Sequence, residues 1–120
     1  MIRASLIALA LLAAPAAAET ITLGDRPGGY AHQHMQIAER WLKKRVRVVI
    51  AGDQQSAAAI QVVYFAGRGG RICAMPGVEL YFHAGRSRGG AVTNANRRYL
   101  GRNIRTGWHK PAAFGIGGCK

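Results

Sequence analysis

Apolar and polar positions change their period several times along this chain, and each change marks a new element. Ile21-Thr22-Leu23 reads as a short strand, and residues 24–29, with Pro27, Gly28 and Gly29, as a turn. Over residues 30–44 the spacing is helical: Ala31, Met35, Ala38 and Leu42 form a stripe with Trp41 beside it, and Gln33, Gln36, Glu39, Arg40 and Lys43 fall mostly off it. Lys43, Lys44 and Arg45 close the segment, where cations meet the negative end of a helix dipole. Residues 46–51 (Val-Arg-Val-Val-Ile-Ala) are β-branched and nearly continuous, the pattern of a strand buried on both faces of a parallel sheet. Gly52-Asp53-Gln54-Gln55 reads as a turn, and Ser56 as the opening of an apolar helix over 57–66 that Gly67, Gly69 and Gly70 end. Arg71-Ile72-Cys73 predicts a short strand, Pro76-Gly77 a turn, and residues 78–82 a further strand.

Strand, helix, strand, helix, strand is the signature of an α/β layer with parallel strands. Crossovers of this kind are right-handed, so the turns after Leu23 and Ala51 belong on one edge of the sheet, where such folds place their sites. Residues 84–120 differ in character. Every charged residue there is Lys or Arg, and glycine recurs. Residues 96–105 predict one short helix with Arg98, Arg102 and Arg105 on one face, and beyond Thr106 the pattern predicts turns and loose ends.

Three regions follow: a leader over 1–18, an α/β core over 19–85 and a basic, loosely structured C-terminal segment over 86–120. The leader combines Arg3, a short apolar run over 6–12 and Ala16-Ala17-Ala18 before Glu19, the pattern of a cleaved secretory signal. The apolar run falls short of the ~20 residues of a spanning helix. The expected address is therefore outside the cytoplasm, most simply the periplasm. What remains suits one small domain.

Seventeen Lys and Arg stand against five Asp and Glu, a net charge of +12. In an exported chain such charge points to lipid headgroups, cell-wall polymers or acidic proteins, and away from a specific nucleic acid partner. Cys73 and Cys119 would sit in an oxidising compartment, where pairing and two free thiols both remain open.

The chemistry lies in residues 26–83. A serine hydroxyl needs a base within reach and donors aimed at the developing oxyanion. Ser56, between a strand and a helix, sits at unpaired N–H groups on a positive dipole end. The amide of Ala57 and that of Gly28 or Gly29 are the candidate oxyanion donors, and His83, at the end of the last strand, the candidate base. The plainer alternatives are a helix-capping serine, a structural histidine and an ordinary glycine turn.

Residues 22–85 resemble the core of the Clp-protease proteolytic subunit and its crotonase-fold relatives. The resemblance rests on Pro27-Gly28-Gly29, on Gly52-Asp53-Gln54-Gln55-Ser56-Ala57 and on Phe82-His83, with Arg71-Ile72-Cys73-Ala74-Met75-Pro76 before the histidine strand. It is nearest to exported Clp-like proteins of Gram-negative bacteria. It implies an α/β fold with Ser56 as nucleophile, His83 as base and the glycine turn as an oxyanion donor, acting on a peptide or small acyl substrate, often in a homo-oligomer. The chain departs from that pattern at three places. Gln54 and Ala58 stand where exported relatives often carry cysteines. Arg26 stands where the family often has Ser. The acid that completes the family's triad has no counterpart, since no Asp or Glu follows Glu79; Asn94 and Asn96 are candidates to orient His83, but neither matches the family's motif. A truncated or decayed member fits these departures too.

No cofactor or metal is expected. His32 and His34 lie two apart on a helix and point to different faces, and Gly67-Arg68-Gly69-Gly70 lacks the Lys-Ser/Thr of a phosphate loop. Three functions remain: an exported serine hydrolase of peptidase type, a noncatalytic relative used for binding or assembly, and a basic protein that contacts anionic surfaces through residues 86–110.

Overall fold

The computed structural model describes residues 19–83, 85–86, 92–93 and 95–120, the side chains of 85, 86, 92 and 93 excepted. The leader expected over 1–18 and Asn94 lie outside the described residues. Strand β1 (Thr20–Leu23) leads through the turn at 24–30 into helix α1 (Ala31–Lys44), and β2 (Arg47–Ile50) follows. Two residues, Gln54–Gln55, form β3. Helix α2 (Ala57–Gly67) precedes β4 (Arg71–Ala74) and β5 (Leu80–Phe82). Then come β6 (Gly85–Arg86), β7 (Val92–Thr93), helix α3 (Ala95–Leu100), β8 (Gly107–His109), a 3-10 turn (Pro111–Phe114) and β9 (Gly117–Gly118).

The main sheet has the order β1-β2-β4-β9 and is parallel throughout, so the chain is an α/β fold, with three α-helices among the described residues. A second sheet, β3-β5-β8, pairs β3 with β5 in parallel and β5 with β8 antiparallel. β6 and β7 form a separate hairpin ladder.

One core joins both helices to the sheets. Met35, Ala38 and Trp41 of α1 meet Ile60, Val62 and Phe65 of α2, with Val48 and Ile50 of β2 and Leu80 and Phe82 of β5. Trp41 and Phe65 pack edge to face at 5.7 Å between ring centroids. Each such aromatic side chain buries 150–250 Å² and dominates the core's energetics. The apolar positions of α1 fall on one stripe and bury one face. Those of α2 are interrupted by Gln61, and its residues from Ala57 to Val63 are all buried. Arg45 ends α1 in a left-handed conformation, with its amide on the Leu42 carbonyl. β2 departs modestly from the expectation of two buried faces: Val46, Val48 and Ile50 are buried, Val49 is half-buried and Arg47 is exposed.

Three expectations need correction. The turn read at residues 52–55 contains a strand. Gln54 is buried, and its amide nitrogen donates to the carbonyls of Gly24 at 2.8 Å and Gly52 at 2.9 Å. A polar side chain is thereby satisfied inside the fold, which a reading by polarity alone assigns to a surface turn. The helix read over 96–105 stops at Leu100, because Gly101 takes a φ of +71°. Arg102 then stacks over the Phe114 ring and leaves no common helical face with Arg98 and Arg105. Beyond Thr106 the loose ends are ordered elements: β8 pairs with β5, β9 pairs with β4, and Phe114 packs on Phe82 at 5.2 Å. A disulfide between Cys73 and Cys119 ties the last strand to β4 and resolves the question left open for the two thiols.

The turns after β1 and β2 meet at one sheet edge, as the crossover rule requires. The Asp53 amide donates to Asp25 Oδ1 at 2.7 Å. Gly52 lies so close to this turn that a Cβ there would fall 2.3 Å from the Asp25 nitrogen.

Candidate active site

Ser56 joins β3 to α2 with φ 56° and ψ −122°. A residue with a side chain is strained at such a positive φ by roughly 1–3 kcal/mol and persists only where its surroundings enforce it. Here the Ser56 amide donates to the Tyr81 carbonyl at 2.8 Å, and the Ser56 carbonyl accepts the first helical bond from Ile60 at 3.0 Å. Ser56 occupies the N-cap position, yet its side chain makes no capping hydrogen bond. The plain expectation of a capping serine therefore does not describe this residue. A strained serine on a sharp strand-to-helix turn is the geometry that presents a nucleophilic hydroxyl at the mouth of a helix.

The glycine turn is laid directly on that mouth. The Arg26 amide donates to the Asp53 carbonyl at 2.9 Å and the Gln55 amide to the Arg26 carbonyl at 3.0 Å, an extension of β3 by one parallel bridge. Gly28, at φ +101°, then faces Ser56. A Cβ at Gly28 would fall 2.7 Å from the Gln55 carbonyl oxygen, 2.9 Å from the Ser56 Cβ and 3.4 Å from the Ala57 nitrogen. Only glycine fits there, on grounds of both conformation and space. Gly28, Ser56 and Ala57, far apart in sequence as a turn and a helix start, are thus brought together. Gly29 stands one residue off, against His34, whose Nε2 would lie 3.3 Å from a Cβ at Gly29.

His83 follows β5 and is exposed. The parallel register pairs Gln54 with Leu80 and Gln55 with Tyr81, so the next residues along the two strands are Ser56 on one and Phe82 then His83 on the other. Leu80 and Phe82 are buried in the core, whereas Tyr81 and His83 share the opposite face, with ring centroids 6.0 Å apart. Both candidate residues therefore stand at the same end of the small sheet.

A polar network underlies the turn, and sequence reading did not find it. Arg26 Nε donates to Gln54 Oε1, and Arg26 Nη1 donates to Gln61 Oε1 at 3.0 Å. His34 Nδ1 reaches the same Gln61 oxygen at 2.7 Å. Gln54 and Gln61 are fully buried, and Arg26 Nη2 and Gln61 Nε2 are buried without a hydrogen-bond partner. Burial pushes the Arg26 guanidinium below its ordinary pKa. The available sequence signals were Gln61, alone among the apolar residues of α2, and Arg26 beside the glycine turn.

Asp25 Oδ1 and Asp53 Oδ1 accept backbone amides, from Asp53 and Glu79, and so serve the turns. Asn96 is buried, and its Oδ1 has no partner among the described residues, so that oxygen does not hold His83. A cleft of about 380 Å³ opens between residues 74–79 and the C-terminal elements, with Met75, Val78, Glu79 and Lys110 on its walls. Neither Ser56 nor His83 lines it. Among the described residues no three His, Cys, Asp or Glu side chains are grouped to hold a metal ion, and no helix is long and apolar enough to cross a membrane.

Compared with protein-family models, with curated proteins and with solved structures, the chain shows no match.

Proposed function

We propose that this chain is an exported serine hydrolase of peptidase type with a Clp/crotonase-like core. One observation carries the reading: a strained Ser56 that caps nothing stands at the mouth of α2 with Gly28 laid against it. The Cys73–Cys119 disulfide supports an oxidising compartment, in keeping with the expected leader.

In this reading Ser56 Oγ attacks the carbonyl carbon of a peptide or small acyl substrate while His83 takes the hydroxyl proton. The carbonyl oxygen becomes an oxyanion held by the backbone N–H of Ala57 and that of Gly28. The tetrahedral intermediate collapses, the bond to the leaving nitrogen or oxygen breaks, and His83 returns its proton to that atom. Water, deprotonated by His83, then attacks the acyl carbon; the bond to Ser56 Oγ breaks, and His83 returns the proton to Oγ as the acid leaves. Loss of one oxyanion donor lowers turnover about 10²–10³-fold, so the two amides are the largest single contribution to rate.

The test is labelling of the purified protein, its fold checked by circular dichroism, with a fluorophosphonate probe. Ser56 should be modified, and Ser56→Ala should not. A folded sample that takes no label rejects the enzyme reading.

A second reading keeps the fold and drops the chemistry. It rests on the sequence after Glu79, which holds no Asp or Glu to match the triad acid that the resemblance implies. Replacement of the orienting acid in a Ser-His-Asp triad lowers turnover about 10⁴-fold with the geometry intact. In that case the chain acts by binding or assembly, and Ser56→Ala leaves its partner's affinity unchanged.

A further inference from the structure

The face of the small sheet that carries His83 also carries two aromatic rings, Tyr81 and Trp108, that take no part in the acyl-transfer step. Tyr81 precedes His83 by two residues and shares its face. Trp108 is the cross-strand partner of Tyr81 on β8, and the two rings pack at 5.1 Å with a 53° tilt. Trp108 is 49 % exposed, whereas the other tryptophan, Trp41, is 8 % exposed within the core. An indole left half in water contributes little to folding, and tyrosine and tryptophan on a surface are the side chains best suited to hold a partner. Tyr81 is also fixed to the candidate site through its backbone, since its carbonyl accepts the Ser56 amide.

We infer that Tyr81 and Trp108 form the leaving-group side of the site and select acyl substrates, peptides above all, that carry an aromatic side chain there. The assignment rests on the hydrolase reading. Acyl transfer fixes three directions around the reacting carbon. The oxyanion points to the glycine turn and the start of α2, the nucleophile comes from Ser56, and the leaving atom must receive its proton from His83. The surface continuous with His83 therefore meets the departing half of the substrate. On this chain that surface is the Tyr81 ring followed by the Trp108 ring. A carbonyl-directed serine also makes a peptide, and not a sugar or a nucleobase, the occupant that fits the neighbouring chemistry. Offset or tilted contact with a substrate ring is favourable by an amount that corresponds to a preference of up to about tenfold per ring pair.

The position of the two tryptophans makes the test direct. Acrylamide should quench Trp108 emission and spare Trp41. Titration of full-length Ser56→Ala with a dipeptide amide bearing a free α-amine and an N-terminal phenylalanine, the departing half of a cleaved peptide, should protect Trp108. The glycine counterpart should bind about tenfold more weakly. Tyr81→Ser should remove the difference and Tyr81→Phe should restore it. With the unmodified serine, kcat/KM for substrates with phenylalanine against glycine on the leaving side should show the same ratio, and Trp108→Ser should abolish it. Equal binding of both dipeptides, in a protein whose Ser56 takes the fluorophosphonate, would overturn the aromatic subsite and leave the hydrolase standing. An aromatic preference without any labelling of Ser56 would overturn the hydrolase and with it the leaving-group assignment. Protection by a soluble β-linked glucose oligomer in place of the peptides would overturn it in favour of a sugar-stacking face.

Discussion

Arg26 and His34 converge on a single acceptor, Oε1 of Gln61. Arginine has only donors, so Arg26 requires that atom to be the amide oxygen, and the oxygen in turn requires His34 Nδ1 to carry its proton. His34 Nε2, the other ring nitrogen, lies toward Gly29 in the glycine turn. ¹⁵N shifts of the His34 ring at neutral pH should show the Nδ1–H form. An Nε2–H form would contradict the network.

The same convergence ranks two substitutions. Gln61→Leu removes the acceptor that Arg26 Nη1 and His34 Nδ1 share and leaves a half-buried cation less satisfied than before. Hydrogen bonds to charged groups contribute about 1.5–3 kcal/mol each, so the loss in urea denaturation should reach about 2–3 kcal/mol. Arg26→Met removes the cation itself, whose Nη2 already lacks a partner and whose charge burial disfavours. Its cost should be smaller, about 1 kcal/mol, with His34 still held by Gln61. The reverse order of the two losses would show that Arg26 is paired in some other way.

Gly28 provides a test of the site with little ambiguity. A methyl group at this position must displace either the Gln55 carbonyl oxygen, 2.7 Å away, or the Ser56 Cβ, 2.9 Å away. At φ +101° it is strained even without those neighbours. Gly28→Ala should therefore slow fluorophosphonate labelling by at least about 10²-fold, the consequence of losing one oxyanion donor. Gly24→Ala is the control: a Cβ there meets nothing within 4 Å, and labelling should be unchanged.

The strain at Ser56 separates stability from function. Glycine adopts positive φ without steric penalty, and relief of roughly 1–3 kcal/mol of strain outweighs the ~0.5–1 kcal/mol that glycine loses through unfolded-state entropy. Ser56→Gly should stabilise the protein by about 1 kcal/mol, a rise of about 4–8 °C in Tm for a domain of this size. Ser56→Ala keeps a Cβ in the strained conformation and makes no difference to a cap that does not exist, so its Tm should match the original protein. Both variants lose labelling. Equal Tm values for the glycine and alanine variants would mean that the turn carries no strain.

Much of the frame was legible in the chain. Periodicity found α1 and α2 within a residue or two at each end, and β-branched runs found β2, because burial of one face or one strand leaves a regular imprint. The meeting of the turns after β1 and β2 followed from crossover handedness alone. Three things were hidden for physical reasons. Gln54 and Gln61 are polar and buried, and composition cannot reveal that a side-chain amide will find its partners thirty residues away. The elements after Thr106 are short, glycine-rich and held by long-range pairing to β4 and β5, so local pattern carries almost none of their stability. The positive φ at Ser56 is imposed by β3 and β5 together, and no residue type announces it. Glycine at position 28 was visible, but the reason only glycine fits there needs the neighbour it touches.

The C-terminal strand offers the last prediction. β9 is two glycines long and adds to β4 by parallel pairing, supported by the Cys119 amide on the Ala74 carbonyl at 2.9 Å. So short a strand, without side chains to pack, holds its place chiefly because the chain is closed covalently by Cys73 and Cys119, 46 residues apart. Loop-closure entropy for a ring of that length corresponds to about 4 kcal/mol at 25 °C, an upper figure for what the bridge contributes. Reduction, or the Cys73→Ser, Cys119→Ser pair, should lower stability in urea by about 2–4 kcal/mol and expose the bond after Phe114 to chymotrypsin. Phe114 packs on Phe82, whose strand neighbour Tyr81 holds the Ser56 amide. The reduced protein should therefore also label more slowly at Ser56 wherever Phe114 has come away. Rapid chymotrypsin cleavage with full stability and an unchanged labelling rate would show that β9 is a passive tail, tied to the sheet but not supporting it.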